Sequence, residues 1–549
     1  MRKPLYKIAF LGLGVMTFGV ANAQDTTKKK SVEITSAFRP VLRESAKINF
    51  NANPPSVDTT KPVLKYDIPN QNLALGFQPG SLKPLALSID SGGKWDNSSY
   101  IKVGFGSLRT PFAQAGFSFG DGNTAGLNIY ARHVSSQGKK EKQDFTNTEF
   151  RLGGFYKSAG NNEWTASIGM KQDKTYKYGY LPETLVFPTD SLRQNFQTIS
   201  ARIGLRNINA TAFGLNYAPE VKIDIFTDNL KNNESNTVVN LPLEKTVGKN
   251  FAVNLGLTFD LTRLSPKNKT AVNNTMYFIA PSVLYKSSNL YLQAGIRPSW
   301  DNKSFKMFPN FLAEVGTPDK RFYVHAGWTG YIRKTTYQYL ASQNPWLWLP
   351  GNLKNTWIEE RFAGFKGSIG DHFTYNAKLG FNKLNNQPLF VNDTTFGLGG
   401  KSFVVVYEPR MNVLHFGGQL GYTVQEKFSL LAGWSFNSYS GLKENDKPWG
   451  MIPLELNAAM RIQVIKDLWL KTDLFAWNRT LYQQPDGGKG RLDGALDLNA
   501  GLEFKITKSL NLWAQFNNIL NKEYQRWNQY PVYGFNFVGG IVFSFDQKN

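Results

Sequence analysis

Hydrophobic and polar residues alternate along most of this chain with period two, over stretches longer than an ordinary strand. From residue 492 onward, Leu492, Gly494, Leu496, Leu498, Ala500, Leu502, Phe504 and Ile506 fill the even positions. Asp493, Ala495, Asp497, Asn499, Gly501, Glu503 and Lys505 fill the odd ones. Phe251, Val253, Leu255, Leu257, Phe259 and Leu261 repeat the pattern, as do Trp164, Ala166, Ile168 and Met170, and Leu290, Leu292, Ala294 and Ile296. Successive strand side chains point to opposite faces, so each segment has one apolar and one polar face. Strands of a soluble sandwich alternate too, but usually end after about 5–6 residues. Runs of about 10–14 residues suit tilted strands crossing a bilayer, with lipid outside and water inside. Backbone groups left unpaired in hydrocarbon are too costly to tolerate, so such a sheet must close on itself. The pattern therefore predicts an all-β chain, a transmembrane antiparallel β-barrel over residues 98–549.

The connectors give the strand number. Short turns are expected at Asp121–Asn123, Ser158–Glu163, Asn207–Ala210, Thr246–Lys249, Lys286–Ser288, Thr317–Lys320, Gly370–His372, Gln425–Lys427, Ile465–Asp467 and Thr507–Ser509. Between them fall mostly longer polar or aromatic stretches, among them 134–146, 173–194, 227–234, 334–356, 385–401, 441–449, 481–490 and 519–533. Ten turns interleaved with eleven loops predict twenty-two strands, beginning near Ser98 and ending at Phe545. Barrels of the bacterial outer membrane put short turns in the periplasm and long loops outside, so both ends of this one belong on the periplasmic side.

The first 97 residues differ in kind. Arg2, Lys3 and Lys7 precede an apolar run from Ile8 to Val20, and Ala21-Asn22-Ala23 supplies a small-x-small cleavage site, so 1–23 reads as a signal peptide. That run is too short to span a bilayer comfortably. Residues 24–97 carry Pro40, Pro54, Pro55, Pro62, Pro69, Pro79 and Pro84 with little periodicity, and are expected to form an extended arm. Cysteine is absent, which removes disulfides, thiolate metal sites and a lipid-modified N-terminal Cys. The formal charge of +22 suits a wet lumen or an anionic lipid surface, and an exported chain gives no reason to expect nucleic acid.

The stretch Asn517–Trp527, NNILNKEYQRW, followed by the aromatic strand GFNFVGGIVFSF, resembles the last hairpin of the TonB-dependent receptor family. Asn344-Pro345 with Leu353-Lys354 resembles that family's loop before a mid-barrel strand, and the Asn/Lys-rich, aromatic loops resemble its Bacteroidetes branch. The resemblance implies a twenty-two-stranded outer-membrane barrel, with outer-membrane lipids and the barrel-assembly machinery as partners. Gly540, Phe543 and Phe545 stand at the spacing of that family's assembly signal, although Asp546–Asn549 follow it. The family also places a folded plug of well over a hundred residues before the barrel, and 24–97 is too short for one. The arm is a reduced-plug candidate; otherwise another chain fills the lumen, or the pore is open. Val32, Glu33, Ile34, Thr35 and Ser36 are a candidate energy-coupling segment, able to add as an edge strand to a TonB-type periplasmic partner, or else an ordinary piece of arm.

Chemistry is sparse. His133, His325, His372 and His415 are scattered singletons, there is no HExxH, paired Cys or phosphate-binding Gly loop, and the expectation is no enzyme and no cofactor. Gly120-Asp121-Gly122-Asn123 lacks the acidic residues of a calcium loop and reads as a hairpin turn. Trp346 and Trp348 form the candidate extracellular contact loop, suited to sugars or a partner's pocket, the alternative being a loop folded over the barrel mouth. Three functions stay open: nutrient uptake, alone or with a surface lipoprotein; a non-transporting scaffold in an outer-membrane complex; and a passive porin.

Overall fold

A computed structural model of the chain describes residues 99–179, 186–394, 398–425 and 427–545. The expected signal peptide, the expected arm and the candidate coupling segment Val32–Ser36 lie outside the described residues. Twenty-two antiparallel strands form the wall, from Ser99–Gly106 to Asn536–Phe545, and the last strand pairs with the first. That seam runs in unbroken register from Ser99↔Phe545 to Gly106↔Val538, so the sheet has no free edge.

The alternation in the sequence becomes the inside and outside of this ring. Ile101, Val103, Phe251, Phe259, Leu292, Ile296, Ile541 and Phe543 are each at least 40% exposed, a continuous apolar belt that water would not tolerate and lipid would. The intervening residues face inward, where Thr258, Asp260, Thr262 and Lys102 are buried. Cross-strand ion pairs lace this inner face. Arg206 makes two hydrogen bonds to Glu163, at 3.0 and 2.8 Å, and Lys366–Glu314 and Lys378–Glu360 lie at 2.7 Å. A polar, ion-paired lining is what a water-filled lumen requires.

The seam depends on one glycine pair. Gly104 and Gly540 are register partners, and the Trp513 ring lies across them from the neighbouring strand. A Cβ on Gly540 would collide with the Val103 carbonyl and stand 2.6 Å from the Gly104 Cα. The Trp513 indole donates to the Val103 carbonyl at 3.3 Å, and the Lys102 ammonium sits 3.8 Å above the indole. Gly540 of the expected assembly signal thus lies inside the seam. Phe543 faces outward at 48% exposed, and its ring meets that of Phe545 at 5.7 Å.

Several boundaries depart from expectation. The strand expected from Leu492 begins at Ala495, because Leu492 turns back to donate its N–H to the Thr480 carbonyl. The turn expected at Asn207–Ala210 runs on to residue 219, since Leu215–Tyr217 adds a short strand beside Leu243–Lys245. The loop expected at 385–401 extends to 410 and holds its own hairpin, Gln387–Asn392 with Phe403–Glu408. The two outer connections 107–109 and 302–303 are as short as periplasmic turns.

Candidate functional site

Described residues of four outer loops, 177–192, 334–355, 386–410 and 518–535, meet above the lumen in one apolar core. Tyr530, only 1% exposed, is its hub. The Trp346 ring stacks on it at 3.8 Å, Tyr178 meets it edge-on at 5.1 Å, and Phe403 lies 6.0 Å away. Its hydroxyl donates to the Lys401 carbonyl. Trp527, three residues earlier in the same loop, packs against Phe390 and Phe403 at 5.1 and 5.6 Å. These loops rise from strands far apart in the ring, so the contacts bridge the mouth. The Trp346 indole donates to the Tyr176 carbonyl at 3.1 Å, and the Tyr178 hydroxyl to the Pro531 carbonyl at 2.7 Å.

The 334–355 loop is also bolted to the wall beneath. Its short helix, Tyr337–Gln343, is capped by the Thr336 hydroxyl, which accepts from the Tyr339 N–H at 2.9 Å. The buried Glu234 carboxylate receives two further free N–H groups of that first turn, Tyr337 at 2.5 Å and Gln338 at 2.9 Å. Tyr337 is wedged edge-on between Phe196 and Phe226, and its hydroxyl donates to Asp228 at 3.0 Å. Burial, and then the Asp228 carboxylate, hold that phenol well above its ordinary value.

A second anchor joins two loops to each other. The Glu408 carboxylate accepts the backbone N–H groups of Lys443, Glu444 and Asn445, at 2.7, 3.4 and 2.9 Å. Burial pushes this carboxyl up, but the N–H groups of Asn445 and Lys443 outweigh it and leave the net value below the ordinary one. Trp449, from the same 441–453 loop, is buried against Leu389 and Val391 of the hairpin. Lys177 is 3% exposed with its ammonium 4.9 Å from the Trp348 ring, and burial lowers it to about 8 against the pull of Asp228 and Asp393.

The sequence-derived candidates therefore separate. Trp346 and Trp348 lie within the cap, where the Trp348 N–H donates to the Phe403 carbonyl at 2.7 Å. Gly540, Phe543 and Phe545 lie at the seam, and Val32–Ser36 is outside the described residues. The histidines do not meet: His133 contacts the Thr148 hydroxyl, His372 the Thr423 carbonyl and His415 the Asn437 amide, at 2.7 to 2.9 Å. Among the described residues no group of His, Asp and Glu could hold a metal ion. Sequence reasoning missed Tyr530, Glu408, Tyr337 and Glu234. Tyr530 stands three residues after the NNILNKEYQRW stretch, so aromatic density near its end was the available signal, but nothing local says which rings meet.

No family model and no curated protein matches the chain. Solved structures do. The FrpB iron transporter from Neisseria meningitidis superposes with a TM-score of 0.63 at 11% identity, over 81% of each chain. The ferripyoverdine receptor of the outer membrane of Pseudomonas aeruginosa gives 0.61 at 9%, over 82% of this chain and 72% of the other. The siderophore receptor PirA from Acinetobacter baumannii gives 0.60 at 10%, over 81% and 80%. At these identities the likeness is one of fold, the twenty-two-strand barrel of outer-membrane receptors.

Proposed function

We propose that this barrel is a receptor-like component of solute uptake across the bacterial outer membrane, driven through a TonB-type periplasmic partner. Supporting this reading is a wide barrel with a polar, ion-paired lumen whose mouth is closed by an apolar cap rather than left open. A closed mouth suits regulated passage of a captured solute better than free diffusion. The structural neighbours, an iron transporter and siderophore receptors, support the same class. In this reading residues 24–97 serve as a reduced plug and Val32–Ser36 as the coupling segment.

A planar-bilayer recording tests it. The intact barrel is expected to conduct little, and removal of residues 24–97 to raise conductance only where the cap is also weakened, for instance by Tyr530→Ala. A large, steady conductance in the intact protein would overturn the proposal in favour of a passive porin. The depth to which Trp346, Trp527 and Tyr530 are bound to one another favours a second reading, a scaffold whose mouth stays shut beside a surface lipoprotein. Failure to co-purify any stable partner would sink that alternative.

A further inference from the structure

The lipid-facing side of the strands Phe322–Arg333 and Thr356–Ile369 carries a polar group that the uptake reading does not use. Trp328 and Arg361 are register partners on the outward face, and Glu359 stands on the same face one step above. The Trp328 indole donates to Glu359 Oε1 at 3.0 Å, Arg361 Nη2 reaches the same oxygen at 3.2 Å, and the guanidinium lies 5.1 Å from the Trp328 ring. Across the next strand pair Lys383 is the register partner of Glu359, and Phe381 that of Arg361. Around them the face is apolar: Phe311, Phe365, Leu379, Phe381 and Leu414 are 42 to 51% exposed.

Height explains why charge is tolerated there. A strand rising ~3.3 Å per residue and tilted near 40° climbs about 2.5 Å per residue along the membrane normal. Arg361 stands eight positions above Ile369, where the apolar belt starts beside the periplasmic turn, hence roughly 20 Å up a belt about 25 Å tall. Lys383, ten positions above Phe373, is about 25 Å up. Both therefore meet the headgroup boundary of the outer leaflet, where a lipid-facing cation costs little and an interfacial Trp is at home.

We propose that Arg361, flanked by Trp328 and Lys383, binds the phosphate of a lipid headgroup in the outer leaflet. Arg361 is 63% exposed on its side chain, and its one hydrogen bond among the described residues is the contact through Nη2. Its remaining donors belong to a planar fork whose geometry phosphate oxygens match. Glu359, fixed by the Trp328 indole, orients the guanidinium while cancelling only part of its charge, and Lys383 adds a second cation beside the site. The acyl chains of the same lipid find Leu379 and Phe365 below, while Phe311, Phe381 and Leu414 share the register row of Arg361 and Trp328.

Native mass spectrometry of the full chain in a zwitterionic detergent tests this, with phosphatidic acid, phosphatidylcholine and inorganic phosphate as probes. Phosphatidic acid is expected to bind in preference to phosphatidylcholine, and inorganic phosphate at equal concentration not to displace it. Arg361→Gln should lower its occupancy about tenfold and Lys383→Gln about threefold, whereas Glu359→Gln should raise it. Arg361→Lys, which keeps charge but not the fork, should lose about threefold and supplies the reading if Arg361→Gln fails to assemble. Unchanged binding in the Arg361 variants overturns the proposal. So does equal competition by inorganic phosphate, which would make this a free-anion site, or a dimer in the unaltered protein that Arg361→Gln abolishes, which would make it a contact between copies.

Discussion

Phe259 and Tyr530 are both large aromatic residues, and they are held in opposite ways. Phe259 stands on the outer face of the wall, 47% exposed, its backbone paired with strands on both sides. Tyr530 lies in a loop, 1% exposed, held by the rings of Trp346, Tyr178 and Phe403. The wall is a backbone ladder in which most outward side chains need only be apolar, because lipid accommodates any shape. The cap has little ladder of its own, so particular side chains carry it. The wall should thus be sensitive where backbones crowd, and the cap where rings and carboxylates meet.

The largest expected effect is in the wall. Gly540→Val places a branched side chain against the Val103 carbonyl and beneath Trp513, where the backbone of the seam cannot give way. Most of the protein should fail to close, measured as loss of the compact, heat-modifiable band on gels, while Ile541→Val on the outer face should leave it intact. Tyr530→Ala comes next. Removing a buried ring costs about 3–5 kcal/mol, here drawn from the cap alone, so the loops should become protease-sensitive while the barrel band persists. Loss of the barrel along with the cap would show that the two regions are not independent.

Glu408→Gln should have a smaller and more local effect. An amide offers one acceptor oxygen in place of two charged ones, and charge-assisted hydrogen bonds contribute about 1.5–3 kcal/mol each, so hydrogen exchange at Lys443–Asn445 should accelerate. The pH dependence has a definite sign: the folded value lies below the ordinary one, so the anchor is fully present above about pH 4.5 and is lost as pH falls through the folded value. The smallest effect is expected at Asp121, the wall's counterpart of Glu408. Its carboxylate accepts the N–H groups of Asn123, Thr124 and Ala125 at 2.8 to 3.0 Å, and those bonds, led by Ala125, draw it down to about 2. The turn's stabilisation is present above about pH 4 and fades towards pH 2, and solvent screening keeps it small. Asp121→Asn should remove the pH dependence with little change in melting temperature; a large change would place the turn among the structural anchors.

The period-two pattern by itself determined the closed barrel and which residues face lipid and which face the lumen, and the alternation of short and long connectors determined its twenty-two strands and most short turns. It could do so because strand alternation and the cost of unpaired backbone in hydrocarbon are local rules, applied residue by residue. They slipped where a local exception intervened, at Leu492 and at the extra strand Leu215–Tyr217. The tertiary structure alone decided the cap. Trp346 was legible as a notable residue, but its partners Tyr530 and Tyr176 lie 184 and 170 positions away in the chain, beyond the reach of any periodicity. It also decided that Arg361 and Lys383 share one headgroup-level patch, since only strand register and height place them there. Aperiodic loops and cross-strand neighbours have no repeat to read; their contacts exist once the ring has closed and brought distant strands to a common rim.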